Sequence, residues 1–207
     1  ADLLFLMVND SDGFNRWNAS QLLTIGLIEE LQSDLAAGRD LALPQSLVDA
    51  YAGVLDSMLS DPSVDKAMVA QLLSLPTVGF LIERAEVADV ESIHLVREFL
   101  LNGLAARFYS SFLDVYTNNT SNAEYAADAE SIARRSLRNL ALSYLMRSDM
   151  DEAVTLAQHQ FVQASNMTDQ LSGLRCLVNN DARVAVELKR AALASFYKQW
   201  SHEPLVV

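Results

Sequence analysis

The chain has 207 residues, 51% hydrophobic and 20% charged, which is enough to bury one good core or two small ones rather than stay disordered. Asp and Glu number 27 against 15 Lys and Arg, and the net charge of −12 repels phosphate backbones and anionic membrane surfaces. Only seven glycines and four prolines punctuate it, and the longest apolar run, "LLFLMV" over 3–8, is far below the roughly 20 residues a bilayer-spanning helix needs, so an all-α chain without nucleic-acid or membrane partners is expected.

The opening "DLLFLMV" is an unbroken apolar run followed by turn formers, a pattern that predicts a buried strand whose ladder partners lie elsewhere. Helical periodicity starts near Trp17. Leu22, Ile25, Leu27, Ile28, Leu31 and Leu35 form a broad stripe, and Gly38 stands where a left-handed C-terminal cap belongs. Further helices are predicted over 44–58, 64–73 and 77–86, with Pro44 in a first turn and Pro62 and Pro76 at the joints. From 89 to 115, Val90, Ile93, Val96, Leu100, Leu104, Phe108, Phe112 and Val115 keep one face apolar, which predicts a single long helix.

After the polar loop "TNNTSN", Ser121 with Glu124 spells a capping box for a helix reaching about Met146. Ser148 with Asp151 repeats the signal for a helix to about Ala164, and two more follow over 168–179 and 181–201. Roughly nine helices with short connections imply antiparallel neighbours. The expected fold is an all-α superhelix of antiparallel helix pairs, ARM- or HEAT-like, with a short extended segment at the N-terminus.

Motifs of catalysis are sparse. His202 followed by Glu203 resembles the start of a zinc-protease helix, but the second His would have to be at position 206, which is Val206, and Pro204 interrupts the helix. His94 and His159 lack a second His at that spacing as well. Cys176 follows the apolar rhythm of Leu171, Leu174 and Leu177, so it is expected as a small core residue; being the sole cysteine, it excludes an internal disulfide and fits a reducing compartment. Positive charge gathers at Arg134, Arg135 and Arg138, with Glu130 one turn before Arg134. An ion pair on that face is one reading; an Arg fork on a buried carboxylate or a substrate terminus is the other. The Asn-x-Ser/Thr sequons starting at Asn18, Asn118, Asn119 and Asn166 are expected as caps and loop residues.

Four stretches in order, "FLMVNDSDGFNRWNASQ", "LSLPTVGFLIE", "IARRSLRNLALSYL" and "ASNMTDQLSGL", resemble the bacterial aminopeptidase N family of zinc metallopeptidases, from the first residues to about Lys198. The "NMTD" phrase is the most specific of them. By this resemblance, residues 1–13 are the end of a preceding β-sandwich domain, strand plus linker, and residues 14–207 are the N-terminal part of a C-terminal helical superhelix that continues beyond Val207.

The resemblance also implies a zinc-dependent parent that releases N-terminal amino acids from peptides. The His-Glu-x-x-His helix and the Gly-x-Met-Glu-Asn loop that serve this chemistry in the family are both missing from these 207 residues. No catalytic, cofactor-binding or metal residue is therefore expected here, and zinc belongs to the parent. The implied role is to enclose the active-site chamber and limit substrate size, with the catalytic and β-sandwich domains and the parent's peptide substrates as partners. A cytoplasmic location is expected from the lone cysteine, with the periplasm as the alternative. The alternative is an independent α-helical repeat scaffold that binds a protein or peptide on its concave face.

Overall fold

The computed structural model describes residues 2–61, 63–121, 123–148, 150–180 and 183–206, and every regular element among them is helical. In chain order these are α1 (Asp2–Asn9), α2 (Gly13–Ala36), α3 (Gln45–Ser60), α4 (Lys66–Leu72), α5 (Val78–Arg84), α6 (Val90–Arg107), α7 (Tyr109–Asn118), α8 (Ala129–Leu145), α9 (Asp151–Gln163), α10 (Met167–Val178) and α11 (Val186–Trp200).

The excess over nine helices has two sources. The expected strand at 3–8 is α1, a correction to the extended N-terminal segment. A helix closes its own backbone hydrogen bonds, whereas a strand needs a ladder partner, and the described residues contain no other strand. Burial of Met7 and a bond from Arg16 Nε to the Met7 carbonyl, 3.0 Å, hold the end of α1 on α2. The second source is a break in the long helix at Phe108, where φ is −115° and ψ 24°. The chain leaves helical geometry for that residue alone, so the apolar periodicity runs on through the break. There the Phe108 ring stacks on Tyr51 at 6.2 Å.

Helix starts are governed by short polar side chains. Asp12, Asp65, Thr77, Asp89, Asp128 and Asn166 each accept a backbone N–H in the first turn of the helix that follows. Part of the acidic excess is thus spent on capping. The expected capping box at Ser121 and Glu124 does not form: Ser121 Oγ accepts from Ala123 N, and Asp128 starts α8 instead. Ahead of α8, Arg135 donates to the Ala126 carbonyl at 2.9 Å and lies over the Tyr125 ring, which holds these two residues outside the helix. α9 begins at Asp151, two residues later than the Ser148 signal implies, with Met150 at the cap. Pro44 sits at the cap position of α3, one residue before the first turn. Gly38 adopts φ +68° and closes α2, with Gly38 N bonded to the Leu35 carbonyl and Arg39 N to the Asp34 carbonyl, the paired bonds of a Schellman cap. The expected joint at Pro62 and the expected start at Asp181 lie outside the described residues.

Each helix packs on its sequence neighbour or on one two to four places away: α1 on α2 and α3, α2 on α4 and α6, α8 on α4, α6 and α7, and α10 on α8, α9 and α11. This layered pattern is the expected superhelix of helix pairs. Its centre is aromatic. Phe112 stacks on Tyr144 at 4.3 Å, and Tyr51 meets Tyr144 edge-on at 6.2 Å. The two tyrosine hydroxyls are 2.9 Å apart and both donate to the Leu73 carbonyl, which ends α4. One carbonyl therefore joins three helices, and it fixes Tyr144 beside the cleft described next.

Candidate functional site

A cleft of about 620 Å³ opens between α6, α8 and α10. Leu75, Leu101, Leu140 and Met146 give it apolar walls, and Tyr144 joins them from the core. Its polar lining is basic. Among the described residues, Arg97, Arg147, Arg175 and Arg183, four of the chain's twelve arginines, face it against one carboxylate, Glu98, and none of the three lysines lines it.

Most of these side chains are fixed. Arg147 forks onto Glu98, Nη1 to Oε2 at 2.6 Å and Nη2 to Oε1 at 3.2 Å, and also donates to Asn102 Oδ1 at 3.1 Å. Arg97 donates through Nε to the Pro76 carbonyl at 2.8 Å and stands 3.9 Å from Glu98. Arg183 reaches the Ser148 carbonyl and Asp151, while Asn180 donates to the Met146 carbonyl, so the loop after α10 is tied to the end of α8. Arg175 is exposed and enters no ion pair among the described residues.

Charge within the cleft is unbalanced. Burial pushes the Glu98 carboxyl up, but the Arg147 hydrogen bonds, with the charges of Arg147, His94 and Arg97, outweigh it and hold the group below its ordinary value. Burial, with the nearby Arg147 charge adding to it, lowers the Arg97 guanidinium from its ordinary value, against the opposing pull of Glu98. One carboxylate thus serves two guanidinium groups.

A second polar cluster accounts for the arginines singled out in sequence. Arg138 is buried; its Nε donates to Gln160 Oε1 at 3.0 Å, its Nη2 is 3.5 Å from Asp169 Oδ2, and its guanidinium lies over Tyr116. Asp169 also accepts from Asn139 and Asn166, and Gln160 donates to Asn139 and to the Asp169 carbonyl. Arg138 therefore reaches a buried carboxylate, but by a single Nη2 contact rather than a fork, and that carboxylate is the last residue of "NMTD". Asn166 caps α10 through Oδ1 to Asp169 N, so the phrase is at once a helix start and a buried charge pair joining α8, α9 and α10. Arg134, by contrast, forms no ion pair with Glu130. Of the remaining sequons, Asn119 ends α7 and bonds back to the Val115 carbonyl, whereas Asn18 lies within α2, neither cap nor loop.

The described residues contain no group of three or more His, Cys, Asp and Glu that fits a metal ion. His94 lies in α6, His159 in α9, and His202 beyond α11 is exposed beside Glu203. Cys176 packs at the edge of the core and lines the cleft, and burial pushes its thiol up to about 12. No described helix is long and apolar enough to cross a membrane. Of the apolar ends, Phe5 and Leu205 are exposed, and Val207 lies outside the described residues. No local signal marked the cleft, because its arginines come from positions between 97 and 183 and meet only through helix packing.

The model of a domain described as "Domain of unknown function (DUF3458_C) ARM repeats" matches residues 1–207. The chain belongs to this ARM-repeat family. Its superhelix of helix pairs is the ARM architecture, and the cleft between α6, α8 and α10 lies among the helices of that stack. The ARM-repeat chain is 33% identical to Aminopeptidase N of Escherichia coli over 207 residues, covering 99% of itself and 22% of that protein. It is 31% identical to Aminopeptidase N of Caulobacter vibrioides, covering 23% of that sequence. Among solved structures it resembles aminopeptidase A of Legionella pneumophila, described in complex with aspartic acid, with a TM-score of 0.79, 27% identity, and coverage of 98% of this chain and 23% of the other. The resemblance read from the four sequence stretches is thereby borne out. The chain spans less than a quarter of the length of these relatives.

Proposed function

We propose that this chain is the non-catalytic helical part of a zinc-dependent aminopeptidase that releases N-terminal amino acids from peptides, and that it encloses the active-site chamber and limits substrate size. One observation carries the reading: the whole chain matches under a quarter of proteins named Aminopeptidase N, while its described residues offer no metal-ligand group. The zinc, the general base and the residues that hold the substrate's amino end then belong to the rest of the longer protein, with which this domain packs. A location in the cytoplasm accords with the single cysteine.

Enclosure contributes to hydrolysis by excluding water and positioning the peptide, while the bond-breaking groups come from elsewhere. The purified chain, assayed with alanine p-nitroanilide and added zinc, is expected to show no turnover that a chelator removes. The longer enzyme is expected to trim unstructured peptides and to leave the N-terminus of a tightly folded protein intact. Chelator-sensitive turnover by the chain alone, or equal trimming of folded and unstructured substrates by the longer enzyme, contradicts the proposal.

A further inference from the structure

We propose that the cleft between α6, α8 and α10 binds the carboxylate of a peptide through Arg97 and Arg175. Among the described lining residues, four guanidinium groups facing one Glu98 in a chain of net charge −12 are a local reversal of sign, and a reversal inside a concave site attracts anions. The Arg147–Glu98 fork engages both oxygens of Glu98, the only carboxylate among the described lining residues. Arg183 is committed to Ser148 and Asp151. That leaves Arg97, whose one hydrogen bond among the described residues runs from Nε to the Pro76 carbonyl and whose Nη1 stands 3.9 Å from Glu98, and the exposed Arg175 as cations with N–H groups to offer. Burial and the adjacent Arg147 charge weigh on Arg97, so an incoming anion relieves it.

The choice of arginine over lysine fits a planar two-oxygen acceptor, because the guanidinium fork matches a carboxylate in two parallel bonds. Asn179 and the Nδ2 group of Asn102 add polar groups that can meet a peptide backbone, and Leu75, Leu101, Leu140 and Met146 give apolar surface for side chains. A volume of about 620 Å³ suits a ligand of a few residues. The peptide nature of the ligand rests on the function proposed above; the anion site itself does not.

Binding to the 207-residue chain is measured by 1H–15N NMR, following backbone amides and Arg Nε–H signals, with three probes: trialanine free acid, trialanine amide, and the amide of a tripeptide carrying one internal Asp. The free acid or the Asp peptide is expected to shift signals of the cleft residues and to bind at least five-fold more tightly than trialanine amide, and whichever does so identifies a terminal or a side-chain carboxylate as the group held. Added salt is expected to weaken the interaction. Arg175→Ala, at an exposed position, is expected to keep the melting temperature and lose at least five-fold in affinity; Arg97→Gln is expected to lose as much, and Arg175→Ala alone decides if that variant does not fold. Equal binding of acid and amide probes, unchanged affinity in Arg175→Ala, or inorganic phosphate binding more tightly than either carboxylate overturns the proposal. Such a result leaves chamber enclosure standing, because that is read from the folded-against-unstructured substrate ratio of the longer enzyme.

Discussion

Arg138 of α8 and Asp169 of α10 meet at 3.5 Å with side chains only 11% and 6% exposed. A charge pair this deep is costly to assemble and more costly to break, since removing one partner strands the other in a low-dielectric interior. Asp169→Ala is expected to destabilise the chain by about 3–5 kcal/mol, with α9 and α10 loosening first. Replacing both partners with Met and Leu is expected to cost less than Asp169→Ala alone. Urea denaturation of the three proteins checks the order, and an equal loss in the single and double variants refutes it.

The Leu73 carbonyl accepts from both Tyr51 and Tyr144. Tyr144→Phe or Tyr51→Phe leaves it one donor and is expected to cost about 1 kcal/mol each. The double variant orphans a buried acceptor, so its cost is expected to exceed the sum of the two. A double-mutant cycle measures the excess directly.

Burial pushes Tyr144 up to about 12 and Tyr51 well above its ordinary value. In the unfolded chain both ionise near pH 10. A raised folded value means the native state holds its proton more tightly; this contribution is whole below pH 10 and is lost as pH climbs from 10 towards 12. Alkaline unfolding followed by circular dichroism is expected to coincide with the last tyrosine absorbance change near 295 nm. Ionisation of all six tyrosines in a chain still folded is the contrary result.

A Cβ at Gly173 would sit 2.8 Å from Phe161 N and 3.0 Å from the Ala157 carbonyl, both backbone atoms of α9. Gly173→Ala is expected to push α10 off α9 at a cost of about 1–3 kcal/mol. At Gly26, inside α2, nothing lies within 4 Å of the added carbon. Gly26→Ala is expected to stabilise by about 0.5–1 kcal/mol. Thermal melts of the pair should move in opposite directions.

Cys176 keeps its proton because its surroundings are largely apolar, although the Arg147 charge draws the value down somewhat. At pH 8 the native thiol is expected to react with Ellman's reagent on the order of a thousand-fold more slowly than an ordinary cysteine. Full reactivity is expected in denaturant. Fast labelling of the folded chain contradicts the assignment.

Helix content, most helix limits apart from the start of α8, and the Gly38 cap were legible in the sequence because they depend on local periodicity and on φ preferences within a turn. So was the "NMTD" start of α10, where Asn166 and Asp169 lie three residues apart. The nature of residues 3–8 was not legible, since a short apolar run satisfies strand and helix alike until its backbone bonds are assigned. Nor was the end of α6, because Phe108 keeps the apolar rhythm while its backbone turns. The use of Asp169 as the buried partner of Arg138, and the meeting of Arg97, Arg147, Arg175 and Arg183 across one cleft, were decided only by tertiary packing. Charges distant along the chain interact through space, and periodicity within a helix carries no information about which other helix will face it.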